Sequence, residues 1–273
     1  MIVFPPAKIN LGLNVVERRP DGFHEIESIL VPIPLYDALE AVIETAPGSA
    51  PLSYTRTGLE ISGDIESDLC YKAVMLLGEI RSLPNLRLHL HKVIPMGAGL
   101  GGGSSDGAHT LLLVNALCEC GVSLNELHDL AARLGSDCPF FLTPNSKLVK
   151  GRGERLTEIQ LDLKGNWLVL VDPGIHVSTA EVYRNTEPTG VQWSEVQRAE
   201  LKLTHFREQL PNTMEAYVFK AYPKVAELKD RLISAGAVYA SMSGSGSSVF
   251  GLFEQKPVPM DLPEGYRQWT LQL

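Results

Sequence analysis

The segment Pro95-Met96-Gly97-Ala98-Gly99-Leu100-Gly101-Gly102-Gly103-Ser104-Ser105-Asp106 decides how this chain folds. It follows residues 86–91, which alternate apolar and polar side chains as a half-buried strand does. It precedes a Leu- and Ala-rich run that predicts a helix over 106–118. Glycines let the backbone approach an anion closely, and a helix N-terminus adds a favourable dipole for phosphate. A strand, a glycine loop and a helix in this order predict a phosphate-binding loop.

Two better-known phosphate loops differ from this one. The G-x-G-x-x-G pattern that begins at Gly97 matches the dinucleotide fingerprint, but about 20 residues later that fold needs a strand that ends in an acidic residue. Here a second helix is predicted over 123–134, with Ser123 and Glu126 at capping-box spacing. A Walker A loop requires Gly-Lys-Ser/Thr, whereas Ser104 follows the last glycine. The loop therefore belongs to a third kind.

Bulk composition narrows the class of partner. The 273 residues carry a formal net charge of -8 and no Lys/Arg run, so nucleic acid is excluded as the expected partner, while a small phosphorylated ligand is not. The four cysteines lack the paired CxxC spacings of a zinc site and are too few for a disulfide framework, so reduced thiols are expected. With no basic leader and no apolar run of about 18 residues, we predict a cytoplasmic protein without a membrane partner.

The rest of the sequence predicts a mixture of strands and helices. Further strands are predicted at 10–16, 26–33, 39–44, 59–62, 167–172, 238–241 and 248–253, further helices at 69–82 and 224–235, and a tight turn at 150–154. We place a domain boundary near 155–165, which gives domains 1–158 and 159–273.

Three side chains suggest chemistry, each with an ordinary alternative. Asp137 lies at a turn enforced by Pro139 and is a candidate base or charge organiser, or else a turn cap. Lys8 interrupts an apolar strand, so it either compensates an anion or faces solvent. His24 follows a glycine turn and either hydrogen-bonds a substrate or is an ordinary histidine. The pair His89 and His91 lacks a third ligand nearby in sequence, so no metal site is predicted there.

Three ordered segments resemble the motifs of the GHMP kinases. They are Pro6-Ala7-Lys8-Ile9-Asn10-Leu11, the glycine loop, and Ser243-Gly244-Ser245-Gly246-Ser247-Ser248. Arg19-Pro20-Asp21-Gly22-Phe23-His24 and Gly135-Ser136-Asp137-Cys138-Pro139-Phe140-Phe141 are most similar to members that phosphorylate a cytidine diphosphate ester of methylerythritol. The resemblance implies a two-domain α/β (α+β) fold with the active site in the inter-domain cleft, with which the predicted strands and helices are compatible. It also implies ATP and Mg²⁺ as cofactors, and a monomer or weak homodimer.

The resemblance also implies roles for individual residues. Lys8 and Asp137 would be catalytic, with Asp137 acting on the 2-hydroxyl of the substrate. Residues Pro95, Met96, Gly97, Ala98, Gly99, Leu100, Gly101, Gly102, Gly103, Ser104 and Ser105 would bind ATP. Residues Asn10, Phe23, His24, Lys150, Thr179 and Tyr183 would bind the substrate. No protein ligand is assigned to the metal, which phosphates and water would hold.

Two other readings stay open. The chain could be a sibling kinase of the mevalonate or homoserine type, which a panel of substrates would reveal. It could also be a catalytically silent GHMP-like protein that binds a nucleotide. The presence of both Lys8 and Asp137 argues against a silent protein.

Overall fold

The computed structural model describes residues 1–46, 50–193 and 201–273. In these ranges the strands are β1 (Ile2–Val3), β2 (Pro6–Arg18), β3 (His24–Tyr36), β4 (Ala38–Ile43), β5 (Leu52–Gly58), β6 (Leu86–Lys92), β7 (Lys147–Gly151), β8 (Arg155–Glu158), β9 (Trp167–Asp172), β10 (Tyr239–Met242), β11 (Val249–Phe253) and β12 (Arg267–Gln272). The helices are α1 (Leu69–Ile80), α2 (Gly102–Leu117), α3 (Leu124–Leu134), α4 (Thr179–Asn185), α5 (Phe206–Gln209), α6 (Glu215–Ala221) and α7 (Pro223–Ser234), with 3-10 turns at Ile65–Ser67, Cys138–Leu142 and Leu203–His205.

The chain divides into two compact units, each assembled from several segments. The first unit contains Met1–Ala7, Leu35–Met96 and Gly101–Pro144. The second unit contains Lys8–Pro34, Gly97–Leu100 and Asn145–Leu273. The division of the sequence into domains 1–158 and 159–273 stays a prediction.

The first unit packs helices against one sheet, in the order β1-β4-β6-β5. Strand β6 pairs antiparallel with β4 and parallel with β5. Its alternation is strict, because Leu86, Leu88 and Leu90 are buried whereas Arg87 is exposed. Helix α2 packs on both α1 and α3, and α3 begins with the predicted capping box between Ser123 and Glu126.

The second unit contains two further sheets, β2-β3-β7-β8 and β10-β11-β9-β12. One hydrophobic core of this unit joins Leu13 and Val15 of β2 to Val169 and Val171 of β9 and to the buried face of α7. This core fixes β2 firmly, which matters because the predicted catalytic lysine lies on that strand.

Most predicted elements are confirmed within one to four residues. The strand predicted at 59–62 is wrong: the strand in this region is β5, at Leu52–Gly58. Helices α4 and α6 and strand β12 were not predicted. None of the described helices is long and apolar enough to cross a membrane.

Candidate active site

The glycine loop has the backbone of an anion-binding turn. Gly97, Gly99 and Gly101 all have positive φ, at 67°, 80° and 68°, and Gly101 is the N-cap of α2. Left-handed residues of this kind occur in the backbone nests whose N–H groups bind phosphate. Glycine adopts this conformation without strain, which explains the spacing of the glycines in the sequence.

Gly99 is the point where the third motif meets the loop. A Cβ at Gly99 would lie only 2.0 Å from the carbonyl oxygen of Ser243. The Ser243 hydroxyl donates to the Gly99 carbonyl at 2.8 Å, and the backbone N–H of Ser248 donates to the carbonyl of Ala98 at 3.2 Å. Residues 243–248 therefore form the support on which the loop rests.

Lys8 joins the first motif to the same loop. Its side chain is buried, and its Nζ donates to Asn10 Oδ1 at 2.6 Å and to the Gly99 carbonyl at 3.0 Å. Asn10 is fixed in turn, because its backbone N–H donates to Ser243 Oγ at 3.2 Å and its Nδ2 to Ser28 Oγ at 2.8 Å. The structure thus brings Lys8, Asn10, the loop and the third motif into one hydrogen-bonded network.

The predicted base-reading residues form a second group in the same unit. The rings of His24 and Tyr183 stack with centroids 5.1 Å apart and an interplanar angle of 28°. Among the described residues, the buried Nε2 of His24 has no hydrogen-bond partner. Burial, with a smaller effect of the Arg18 charge, lowers the pKa of His24, so the imidazole is neutral at pH 7. Phe23 is 53% exposed and carries the guanidinium of Arg152 at 4.6 Å from its ring centroid.

Thr179 and Lys150, the two remaining residues predicted to bind substrate, each contact another side chain of the protein. Thr179 Oγ1 lies 2.9 Å from the hydroxyl of Ser245, which places it beside the third motif. Lys150 Nζ forms an ion pair with Glu27 Oε1 at 3.0 Å. A substrate that used Lys150 would therefore share it with Glu27.

Asp137 lies in the first unit, at the start of the 3-10 turn Cys138–Leu142. This turn packs against α2, where Ser104 lies beside the Cys138 thiol. Burial raises the pKa of Cys138 to about 12, the Ser104 hydroxyl opposes this shift, and the nearby Asp137 charge adds to it. The turn that holds Asp137 is thus packed beside the first turn of α2.

Other predicted ATP contacts differ in accessibility. Met96 is 47% exposed and lies against Gly103, where its Cε would be 3.2 Å from an added Cβ. Pro95 and Leu100 are buried. Ser105 is also buried, and its hydroxyl lies 3.5 Å from Nδ1 of His109, one helical turn further along α2.

A buried charge cluster in the first unit was missed by the sequence reasoning. Lys92 is 1% exposed and its Nζ contacts Asp37 Oδ2 and, at 2.7 Å, Asp106 Oδ2. A Cβ at Gly102 would lie 2.7 Å from this Nζ, so the ammonium sits directly under the first residue of α2. The alternation of β6 indicates that Lys92 is buried, because Lys92 follows Leu90 on the buried face of this strand.

Burial and the two neighbouring charges determine the pKa of Asp106 in this cluster. Burial raises the pKa of Asp106 to about 8, Lys92 opposes this shift, and Asp37 adds to it. Asp106 Oδ1 is buried without a hydrogen-bond partner among the described residues, whereas Asp37 Oδ1 accepts from the backbone N–H groups of Val93 and Ile94. The raised pKa keeps Asp106 protonated at pH 7. In the described ranges no group of three or more His, Cys, Asp or Glu residues is arranged to hold a metal ion.

Two family models match the chain. Residues 68–144 match the GHMP kinases N terminal domain and residues 195–259 match the GHMP kinases C terminal domain, and these regions lie on either side of the predicted boundary. The chain belongs to the GHMP kinase family. It is therefore an ATP-dependent kinase that acts on a small molecule, with the mixed α/β fold expected from its sequence.

The chain is similar over nearly its full length to kinases of one substrate class. It is 44% identical over 255 residues to the 4-diphosphocytidyl-2-C-methyl-D-erythritol kinase of Parabacteroides distasonis, which covers 93% of this chain and 92% of that protein. It is 42% identical over 268 residues to the kinase of the same name from Bacteroides fragilis, with 97% of each chain covered. A crystal structure of 4-(cytidine 5'-diphospho)-2C-methyl-D-erythritol kinase superposes with a TM-score of 0.77 at 36% identity, covering 94% of this chain and 91% of that one.

Proposed function

We propose that this protein transfers the γ-phosphate of ATP to the 2-hydroxyl of 4-diphosphocytidyl-2-C-methyl-D-erythritol, giving the 2-phosphate and ADP. The step belongs to the non-mevalonate pathway to isoprenoid precursors. The observation that carries the choice of substrate is the His24–Tyr183 pair with its unpartnered Nε2, since a flat pyrimidine needs both a ring to stack on and a polar atom to read its edge.

In this proposal the loop holds the triphosphate of ATP. The left-handed residues Gly97, Gly99 and Gly101 present backbone N–H groups, and the N-terminus of α2 adds positive potential without a basic surface. Mg²⁺ that arrives with the nucleotide would neutralise charge on the β- and γ-phosphates. We assign it no protein ligand, and phosphates and water would complete its coordination.

Lys8 and Asp137 are the proposed catalytic residues. The buried ammonium of Lys8, held by Asn10 and the Gly99 carbonyl, would lower the pKa of the substrate hydroxyl and balance charge. Asp137 would orient that hydroxyl or accept its proton during transfer. Asn10 would contact the hydroxyl, and Phe23, His24 and Tyr183 would bind the cytosine.

Further substrate contacts are proposed for Lys150 and Thr179. The Lys150 pair with Glu27 and the Thr179 contact with Ser245 are the interactions that a bound ligand would have to share or replace. A cytoplasmic location and a monomeric or weakly dimeric state stay predictions, and light scattering would measure the second.

A coupled ADP-release assay over four acceptors tests the proposal. We expect turnover of 4-diphosphocytidyl-2-C-methyl-D-erythritol and none of mevalonate, homoserine or galactose. Asp137→Ala should abolish turnover, while Asp129→Ala, on the exposed face of α3, should leave it unchanged. Turnover of mevalonate or homoserine instead would reassign the chain within its family. ATP binding without turnover of any acceptor would indicate the silent protein.

A further inference from the structure

The turn between β7 and β8 presents an arginine beside the proposed cytosine pocket. Gly151 and Gly153 both have positive φ, at 76° and 117°. Glu154 folds back so that its carboxylate accepts from the backbone N–H of Arg152, and a Cβ at Gly151 would lie 2.5 Å from Glu154 Oε1. This tight turn leaves the Arg152 side chain exposed, with its guanidinium over the ring of Phe23.

Three carboxylates around this turn, those of Asp21, Glu25 and Glu27, are paired with other cations, and that of Glu154 accepts from the Arg152 backbone. Asp21 binds Arg19, and Lys150 pairs with Glu27. Glu25 pairs with both Arg19 and Arg155. The pKa of Asp21 is lowered mainly by hydrogen bonding to Arg19, and the Arg152 charge adds a smaller effect.

Within the described ranges, the guanidinium of Arg152 forms no ion pair with these carboxylates. A guanidinium held on an aromatic face keeps its N–H groups available at its edge, because the ring contacts only its plane. Its planar fork matches the oxygens of a phosphate group. The chain as a whole carries a net charge of -8, so an anionic substrate that approaches this region gains from a local cation.

We infer that Arg152, positioned by Phe23, binds the diphosphate of the cytidine-linked substrate. The inference rests on the proposed function and adds a residue to it: Phe23 would serve both as part of the base pocket and as the platform that aims Arg152 at the phosphates beside the base. Arg152 contributes to substrate affinity and has no part in phosphoryl transfer.

Comparing two small ligands, one with and one without a diphosphate, distinguishes binding of the phosphates by Arg152 from stacking on the base. Isothermal titration calorimetry of the full chain would compare cytidine diphosphate with cytidine, for wild type and Arg152→Ala. The expected result is a loss of about tenfold in affinity for cytidine diphosphate, typical of an exposed charge-assisted contact, with unchanged affinity for cytidine. Arg152→Lys should recover part of the loss. An equal loss for both probes, or no loss for either, would overturn the inference.

Steady-state kinetics supply the second readout. In Arg152→Ala, KM for the cytidine-linked substrate should rise about tenfold, while kcat and KM for ATP stay within about twofold. Arg207→Ala, an exposed arginine on α5, removes the same charge and is the matched control. If wild type turns over the substrate and Arg152→Ala does so with an unchanged KM, only the role of Arg152 fails. If wild type neither binds cytidine diphosphate nor turns over the substrate, the proposed function fails as well.

Discussion

Replacing Gly99 with alanine tests whether the close contact between the loop and the third motif sets the geometry of the ATP site. The new Cβ would lie 2.0 Å from the carbonyl oxygen of Ser243 and 3.3 Å from that of Gly246. A carbon and a carbonyl oxygen need about 1 Å more than the first of these distances, so the backbone of one segment must move by about that amount. The left-handed φ of 80° adds about 1–2 kcal/mol for any L side chain.

Gly165→Ala is the matched control, because Gly165 has φ 85° but no atom within 4 Å of an added Cβ. Both variants should be destabilised in thermal unfolding by the cost of placing an L side chain at a left-handed φ. Only Gly99→Ala should also lose activity, with kcat/KM for ATP down about 100-fold, since a displacement of about 1 Å at a reacting group has that order of effect. If Gly99→Ala matched Gly165→Ala in both unfolding and kinetics, the idea that this contact positions the loop would be refuted.

Three further perturbations probe the buried cluster and the base pocket. Because Asp106 holds a proton in the folded state from about pH 4 to about pH 8 that the unfolded chain has lost, the free energy of unfolding falls as pH rises through that window. Asp106→Asn should flatten this slope, and urea unfolding at pH 6 and pH 9 would measure it. An unchanged slope would show that Asp106 does not retain the proton. Lys92→Met leaves the buried acidic pair of Asp37 and Asp106 without its cation and should destabilise the fold by about 3–5 kcal/mol. A stability close to wild type in chemical unfolding would contradict the buried ion cluster. Tyr183→Leu removes the ring that stacks on His24 and should raise KM for the cytidine-linked substrate about tenfold while leaving KM for ATP unchanged, given about 1–3 kcal/mol per stacked base. Parallel increases in both KM values would argue for a general loss of structure.

The sequence predicts best where the signal is local. The alternation over 86–91 and the capping box of Ser123 and Glu126 each lie within a few residues, and the structure has β6 and α3 at those positions. Strand β5 escaped prediction because only Tyr54 of its seven residues is buried, so its pattern is weak. Its strand character comes from parallel pairing with β6, more than 30 positions away.

The same limit applies to the site. Glycine spacing indicates a phosphate loop because each left-handed position requires its own glycine, and Gly97, Gly99 and Gly101 have that conformation. The Lys92 cluster depends on carboxylates at positions 37 and 106, which the fold brings together. Because they are far apart in the sequence, no local pattern predicts the cluster. The role of Arg152 likewise depends on which neighbouring carboxylates are already paired.

The roles of Lys8 and Asp137 could be predicted in part from the sequence. The sequence pattern singles out both residues as candidates, the resemblance implies their catalytic roles, and the structure adds a hydrogen-bonded network around Lys8 and a packed turn around Asp137. These contacts give a physical reason for the positions of the two residues.

Phosphorus-31 NMR of the complete reaction tests the central claim most directly. Wild type incubated with ATP, Mg²⁺ and 4-diphosphocytidyl-2-C-methyl-D-erythritol should give ADP and one new phosphomonoester signal in equal amounts, and Asp137→Ala should give neither. A phosphomonoester formed at the wild-type rate by Asp137→Ala, or ADP released by wild type without any new phosphomonoester, would contradict the account.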